Sequence, residues 1–275
     1  MWSHSISIQG RRDYNEDEFN IINNLNGKDI TLHKVGYYGL FDGHGGGKIS
    51  KFCKKNFHKY FMETEIINKP PCKSKDYDKY IIKTYDSVQN ILTDREKEAK
   101  TVGSTALVVM VYEKEKKKYS KIINLGDCRA IMCNEYNISI QLTKDHKPSS
   151  YEEYKRILFE KGKITKDSGD DYRINGMSVS RSFGDIDAKP QVSHIPDIFD
   201  YDIHKTKFII MGCDGLWDGI NNQEAVDFVL SEIEDNKEYK KNINNKSDNN
   251  IAAKLANLAY DKGSCDNITV VIIFF

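Results

Sequence analysis

The sequence predicts an α+β fold, with strands and helices stacked in layers rather than alternating regularly. Three observations carry that expectation. Short runs rich in β-branched and aromatic residues cluster early and late in the chain, and segments with apolar residues at helical spacing lie between them in pairs. No Pro/Gly/Ser linker or internal repeat divides the 275 residues. One domain over 1–275 is the simplest organisation, long enough to bury a substantial core.

The elements follow in order. Strands are expected over 4–8, 35–41, 105–112, 119–124, 129–133, 138–142, 208–212 and 268–274. The first helix is expected over 48–62, where Ile49, Phe52, Cys53 and Phe57 share a face. The second, over 76–97, aligns Tyr77, Ile81, Tyr85, Val88 and Leu92. Three more are expected over 151–161, 222–233 and 251–262, the first of them opened by a capping box, Ser150-x-x-Glu153. The charged run EKEKKK, Glu113 to Lys118, has no interleaved aromatics and reads as a solvated hairpin turn rather than a nucleic-acid patch. The polar stretch 236–250 reads as a loop.

Composition narrows the function classes. Lys+Arg and Asp+Glu both number 41, so no global field draws the chain to nucleic acid or membrane. No apolar stretch is long enough to span a bilayer. The opening MWSHSISIQGRRD lacks the apolar core of a signal peptide, and Trp2 excludes N-myristoylation. Six cysteines (53, 72, 128, 133, 213, 265) without a C-x-x-C pair read as free thiols in a reducing compartment. The expectation is a monomer in the cytoplasm or nucleus with no flanking regulatory extension.

Chemistry is concentrated where strands stop. GLFDGHGGGKIS (Gly39 to Ser50) ends an apolar run in an acid, a histidine and glycines, yet it lacks the glycine spacing of a P-loop. No G-x-S-x-G nucleophile accompanies it as an esterase would require. Other apolar runs also stop at an acid: Asp127 in IINLGDCRA, Asp214 in FIIMGCDGLWD and Asp266 in GSCDNITVVII. Glu16-Asp17 lies in GRRDYNEDEF, and Asp145 closes SIQLTKDHKP. One such Asp is ordinary in a turn. Several converging on one sheet edge would repel one another unless a cation compensates them, and oxygen-rich clusters suit Mg²⁺ and Mn²⁺. Two such ions could acidify a water for attack on a phosphoester. Arg12 would then clamp the phosphate and His44 protonate the leaving group.

These residues identify a resemblance. GRRDYNEDEF, GLFDGHGG, GSTALVVMV, NLGDCRAIM, LTKDHKPSSYEEYKRI, INGMSVSRSFGD, FIIMGCDGLWD and DNITVVII resemble, in order and spacing, the segments of the protein phosphatase 2C family, the metal-dependent Ser/Thr protein phosphatases. The resemblance implies a four-layer α-β-β-α sandwich, two central antiparallel sheets flanked by helices, with two Mn²⁺ or Mg²⁺ ions at one end. It implies that Asp42 bridges both ions, that the Gly43 carbonyl binds one, and that Asp214 and Asp266 bind the other. Glu16 and Asp17 resemble acids that act largely through bound waters. Arg12 matches the phosphate-binding arginine and His44 the general acid, with water attacking directly and no phosphoenzyme. Asp145 and Asp218, with Asp214, match the set that holds a weaker third ion in many members.

Other motifs take plainer readings. GSTA and SRSFGD are expected to shape the site, Asp127 and Arg129 to form turn or ion-pair contacts, and Trp217 to pack in the core. His4, His33, His58, His146, His194 and His204 are expected to be structural or on the surface. Cys213 beside Asp214 is expected to be a buried, inert thiol. Cys128 and Ser182 stand where the family more often has Ser and Ala, and Gly47 extends the glycine run. The short connection from Ile186 to Pro196 is expected to be the family's flap beside the site. The leading expectation is a phosphatase acting on phosphoserine and phosphothreonine proteins. A pseudophosphatase that binds a partner, and a two-metal hydrolase of small phosphoesters, are the alternatives.

Overall fold

A computed structural model describes residues 1–27, 34–62, 75–166, 172–235 and 249–275, the side chains of 75 and 76 excepted. Cys72, His33 and residues 236–248 of the polar stretch lie outside the described residues.

Strands with both faces covered should be apolar throughout, because successive side chains point to opposite faces. Val35–Phe41 is buried at every position, and so is Ile268–Phe274. Tyr37 and Phe41 face the helix Lys48–Met62 and the helix Lys75–Arg95. Tyr38 and Leu40 face the other way, into a layer shared with Ile209, Met211, Val271 and Ile273. On the far side Ile210, Ile268, Val270 and Ile272 pack against Leu255 and Ala256 of the helix Ile251–Asp261 and Val229 of the helix Asn222–Asp235. Helix, sheet, sheet and helix therefore stack with three apolar layers between them, the α-β-β-α sandwich that the resemblance implies.

Each sheet has five antiparallel strands. The first runs Trp2–Ile8, Ile268–Phe274, Phe208–Gly212, Arg129–Cys133, Ser139–Gln141. The second runs Asp197–Asp202, Lys117–Leu125, Ala106–Lys114, Val35–Phe41, Glu18–Ile22. Asp42, Asp127, Asp214 and Asp266 sit beside the ends of central strands, so the topology gathers them at one end of the sandwich. The EKEKKK run is the hairpin turn expected of it. Lys114 pairs with Lys117, and Glu115 and Lys116 between them take φ of 53° and 63°.

The capping box at Ser150 is not formed. Ser150 holds the N-cap position of Tyr151–Phe159, but its hydroxyl donates to the Asp145 carbonyl instead. Glu153 turns inward, to Arg156 at 2.7 Å, Arg181 at 2.6 Å and the Ser180 hydroxyl at 2.7 Å. Arg181 in turn holds Asp197 at 2.9 Å. Two arginines in reach outbid a single backbone N–H for a buried carboxylate.

Burial alone would raise the Glu153 pKa, but the hydrogen bonds and charges of Arg181 and Arg156 hold it down at about 2. A depressed carboxylate contributes stability above its unfolded value and loses it as pH falls through the folded one. Glu153→Gln should therefore cost about 3 kcal/mol at neutral pH. That gap should shrink as pH drops from about 4.5 toward 2, read by urea unfolding across the range. A gap independent of pH would show that the charge of Glu153 is not what stabilises this junction.

Candidate active site

Gly43–His44 is a two-residue strand that pairs with Gly103–Ser104, which pairs in turn with Phe183–Gly184. This small sheet pins the end of Val35–Phe41. The Asp42 N–H donates to the Thr105 hydroxyl at 3.0 Å, and the Thr105 N–H donates to the Asp42 carbonyl at 2.8 Å. Gly43 is required by a chain crossing. A Cβ there would lie 2.6 Å from the Glu16 carbonyl oxygen and 2.8 Å from the Ser50 hydroxyl.

The N-terminal segment is tied down by Asn267. Its amide donates to the carbonyls of Gln9 at 2.7 Å and Tyr14 at 2.8 Å, while its oxygen accepts from the Glu16 N–H at 2.9 Å. Arg12 and Glu16 are thereby carried over the strand ends. The Arg12 guanidinium, largely exposed, donates to the Asp266 carboxylate at 2.6 Å.

A cavity of about 510 Å³ opens here. Its wall includes Arg12, Glu16, Asp42, Gly43, His44, Asp214 and Asp266. Asp17 sits buried behind it, with the Thr269 hydroxyl donating to its carboxylate at 2.7 Å. Oxygens of Asp42, Asp127 and Asp214 lie within 4.8 Å of one another, and so do ligand atoms of Asp17, Asp42 and Cys213. Burial, then the neighbouring carboxylates, raise Asp42 and Asp214 well above the ordinary aspartate range. Burial pushes Asp17 up to about 6 against the pull of Thr269. Lys147, which interacts with Asp127 and Asp214, and Arg12 on Asp266 offset only part of this, so the carboxylates outnumber their protein cations.

His44 Nε2 lies 2.8 Å from Asp185 Oδ2. Burial pulls the imidazole pKa down, but the bond and charge of Asp185 outweigh that, and it ends raised. Cys213 is fully buried, its Sγ 3.3 Å from the Asn267 carbonyl, and burial pushes its thiol up. Held as a thiol, it is a weak nucleophile, and its soft sulfur is poorly matched to hard divalent ions.

Some placements differ from expectation. Asp127, read as a turn residue, lines the cavity within the carboxylate cluster. Arg129 forms the ion pair expected of it, on Asp145 at 2.6 Å. Asp145 and Asp218 lie outside the cavity wall, while with Asp127 and Asp214 they act on the Lys147 ammonium and raise its pKa against burial. The expected flap is displaced. Arg173 and Gly176 to Val179, which precede SRSFGD, face the cavity, and no residue from Ile186 to Pro196 does. That later connection starts with a short 3₁₀ turn at Ile186–Ala188, and its Ala188 and Val192 pack with Ile157 and Ile174. Trp217 packs with the helical core, its Nε1 donating to the Gly212 carbonyl at 3.0 Å.

A sequence model of the family described as Protein phosphatase 2C matches residues 3–268. The chain belongs to the protein phosphatase 2C family. It is 45% identical over 174 residues to a PP2C-like domain-containing protein of Acanthamoeba polyphaga mimivirus, covering 58% of this chain and 96% of that one. It is 32% identical over 287 residues to the mouse integrin-linked kinase-associated serine/threonine phosphatase 2C, covering 96% of this chain and 70% of that one. The crystal structure of serine-threonine phosphatase 2C from Toxoplasma gondii superposes with a TM-score of 0.78 at 21% identity, covering 99% of this chain and 94% of that one. Serine/threonine protein phosphatases are hydrolases, and this phosphatase 2C chain falls in that class. Among its described residues no helix is long and apolar enough to cross a membrane.

Proposed function

We propose that this phosphatase 2C chain is an active, metal-dependent phosphatase of phosphoserine and phosphothreonine proteins, working through direct attack of water as a single catalytic domain. The observation that carries it is the convergence of Asp42, Asp127 and Asp214 in a cavity that also presents Arg12 and His44. Clustered, buried carboxylate oxygens fit hard divalent ions such as Mn²⁺ or Mg²⁺. Asp42, the Gly43 carbonyl, Asp214 and Asp266 would hold a pair of ions, with Glu16 and Asp17 acting through water. Bound there, the ions would acidify a water and draw charge from the phosphoryl oxygens. A third ion at Asp214, Asp218 and Asp145 belongs to the same proposal. It would be the weakest, because Arg129 already neutralises Asp145.

The chain's own groups divide the remaining work. Arg12 offers a guanidinium fork to the phosphate oxygens. His44 protonates the departing serine or threonine oxygen. The residues from Gly176 to Val179 border the space a phosphopeptide would enter. A monomer in a reducing compartment, cytoplasmic or nuclear, is part of the proposal, in keeping with free thiols at Cys53, Cys128, Cys133, Cys213 and Cys265.

Phosphate release from a phosphothreonine peptide with Mn²⁺, with Mg²⁺ and with EDTA tests the proposal, a phosphorylated metabolite serving as comparison. Release that requires metal and prefers the peptide supports it. Folded protein that binds Mn²⁺ but releases nothing would point to a partner-binding role instead. Arg12→Ala should raise KM for the peptide roughly tenfold with little change in kcat, because the clamp acts on ground and transition states alike. A loss confined to kcat in steady-state assays would remove that role.

A further inference from the structure

We propose that Asp185 is the positioning residue of His44. Its carboxylate would fix the imidazole with Nε2 turned inward, leaving Nδ1 as the nitrogen that gives its proton to the leaving oxygen. The inference rests on the general-acid reading of His44 above.

The geometry is built from several directions. Asp185 is 2% exposed, and its Oδ2 lies 2.8 Å from His44 Nε2. A carboxylate accepts and does not donate, so Nε2 carries a hydrogen toward it. Among the described residues, Nδ1 makes no hydrogen bond. The Ser182 hydroxyl donates to the same Oδ2, and Lys189 Nζ donates to the Ser182 carbonyl at 2.9 Å. Asp185 therefore has its own supports and is not a chance neighbour.

Two backbone features serve this contact. A Cβ on Gly103 would lie 2.1 Å from Asp185 Oδ2 and 2.4 Å from His44 Nε2, so the bond passes through space that any other residue would fill. Asp185 takes φ +45°, a left-handed conformation uncommon outside glycine and tolerated best by short polar residues. Gln89 of the helix Lys75–Arg95 grips the preceding residue through both ends of its amide. It accepts from the Gly184 N–H at 3.0 Å and donates to the Gly184 carbonyl at 3.2 Å. Three segments, joined by the small sheet, thus converge on one ring nitrogen.

In the step itself, the P–O bond to serine or threonine breaks and its electron pair stays on oxygen. The Nδ1–H bond of the imidazolium breaks and an O–H bond forms, leaving neutral imidazole with Nε2–H still on Asp185. Water supplies hydroxide to phosphorus, and its proton restores Nδ1.

A purely structural ion pair would have other consequences, so the test separates the two. Asp185→Asn should lower kcat on a phosphothreonine peptide roughly 10–100-fold with KM nearly unchanged, and should spare an aryl phosphate, whose leaving group needs little protonation. In a His44→Ala background the same substitution should cost nothing further, since the two act as a unit. Equal losses on both substrates, or a loss that persists without His44, would overturn the inference. Nitrogen-15 NMR of His44 in the wild-type protein at alkaline pH gives a second reading that needs neither turnover nor a folded variant. The Nε2–H tautomer is expected, and the Nδ1–H tautomer would overturn the assignment. Wild-type protein that releases no phosphate would sink the proposed function, while the tautomer still decides this inference.

Discussion

Asp42→Asn is expected to abolish metal-dependent phosphate release and, in the same protein, to raise the melting temperature without metal. Both effects come from one arrangement. Burial and the charges of Asp17, Asp214, Asp127 and Asp266 all raise the Asp42 pKa, so the metal-free cluster works against folding near neutral pH. An amide of the same shape removes one repelling charge and with it a candidate bridging ligand. The wild type should melt higher when Mn²⁺ is added, by about 2.7 kcal/mol at a hundred times the dissociation constant. For a chain of this size that corresponds to roughly 5–10 °C. The variant should lose most of that shift. Thermal unfolding with and without Mn²⁺ measures all three quantities. A variant that melts lower without metal yet keeps the full shift would mean that Asp42 braces the fold and binds nothing.

His44→Ala should reduce kcat on phosphoserine and phosphothreonine peptides by ~10²–10⁴, the usual worth of a placed general acid. An alkoxide leaves poorly without a proton, whereas a nitrophenolate leaves readily. The loss on an aryl phosphate should therefore be far smaller. The ratio of the two losses, from parallel steady-state assays, is the informative number. A ratio near one would take the proton-donor role from His44 and leave it as a wall of the cavity. The raised imidazole pKa, set against burial by Asp185, is in keeping with a ring that holds a proton before the leaving oxygen needs it.

Much of this arrangement was legible in the residues because the central strands are buried on both faces. Val35–Phe41, Arg129–Cys133, Phe208–Gly212 and Ile268–Phe274 stand out as apolar runs, and each has the bounds its composition predicts. Glu18–Ile22 and Asp197–Asp202 did not stand out. They are the edges of one sheet, with side chains half in water, so their sequences EFNII and DIFDYD mix polar and apolar residues. The pairs Gly43–His44, Gly103–Ser104 and Phe183–Gly184 are too short to show any period. Yet they are what bring His44 and Asp185 together.

The candidate site was legible to a similar depth. Acids at strand ends announced themselves, and the cavity receives Asp42, Asp214 and Asp266. Asp127 carries the same local signal, yet an Asp after Gly is ordinary in a turn. Its burial beside Asp42 and Asp214 comes from the way two sheets meet, which no local pattern encodes. Asn267 and Asp185 lie inside recognised motifs, DNITVVII and SRSFGD. Their roles depend on partners 251 and 141 positions away along the chain, Glu16 and His44.

The most direct test of the central claim is to measure bound Mn²⁺ and phosphate release on the same wild-type sample as metal is titrated in. The carboxylate cluster predicts a pair of ions per chain at saturation, with release of phosphate from a phosphothreonine peptide rising in step with their binding and vanishing in EDTA. Release that continues in EDTA, or full occupancy with no release, would contradict it.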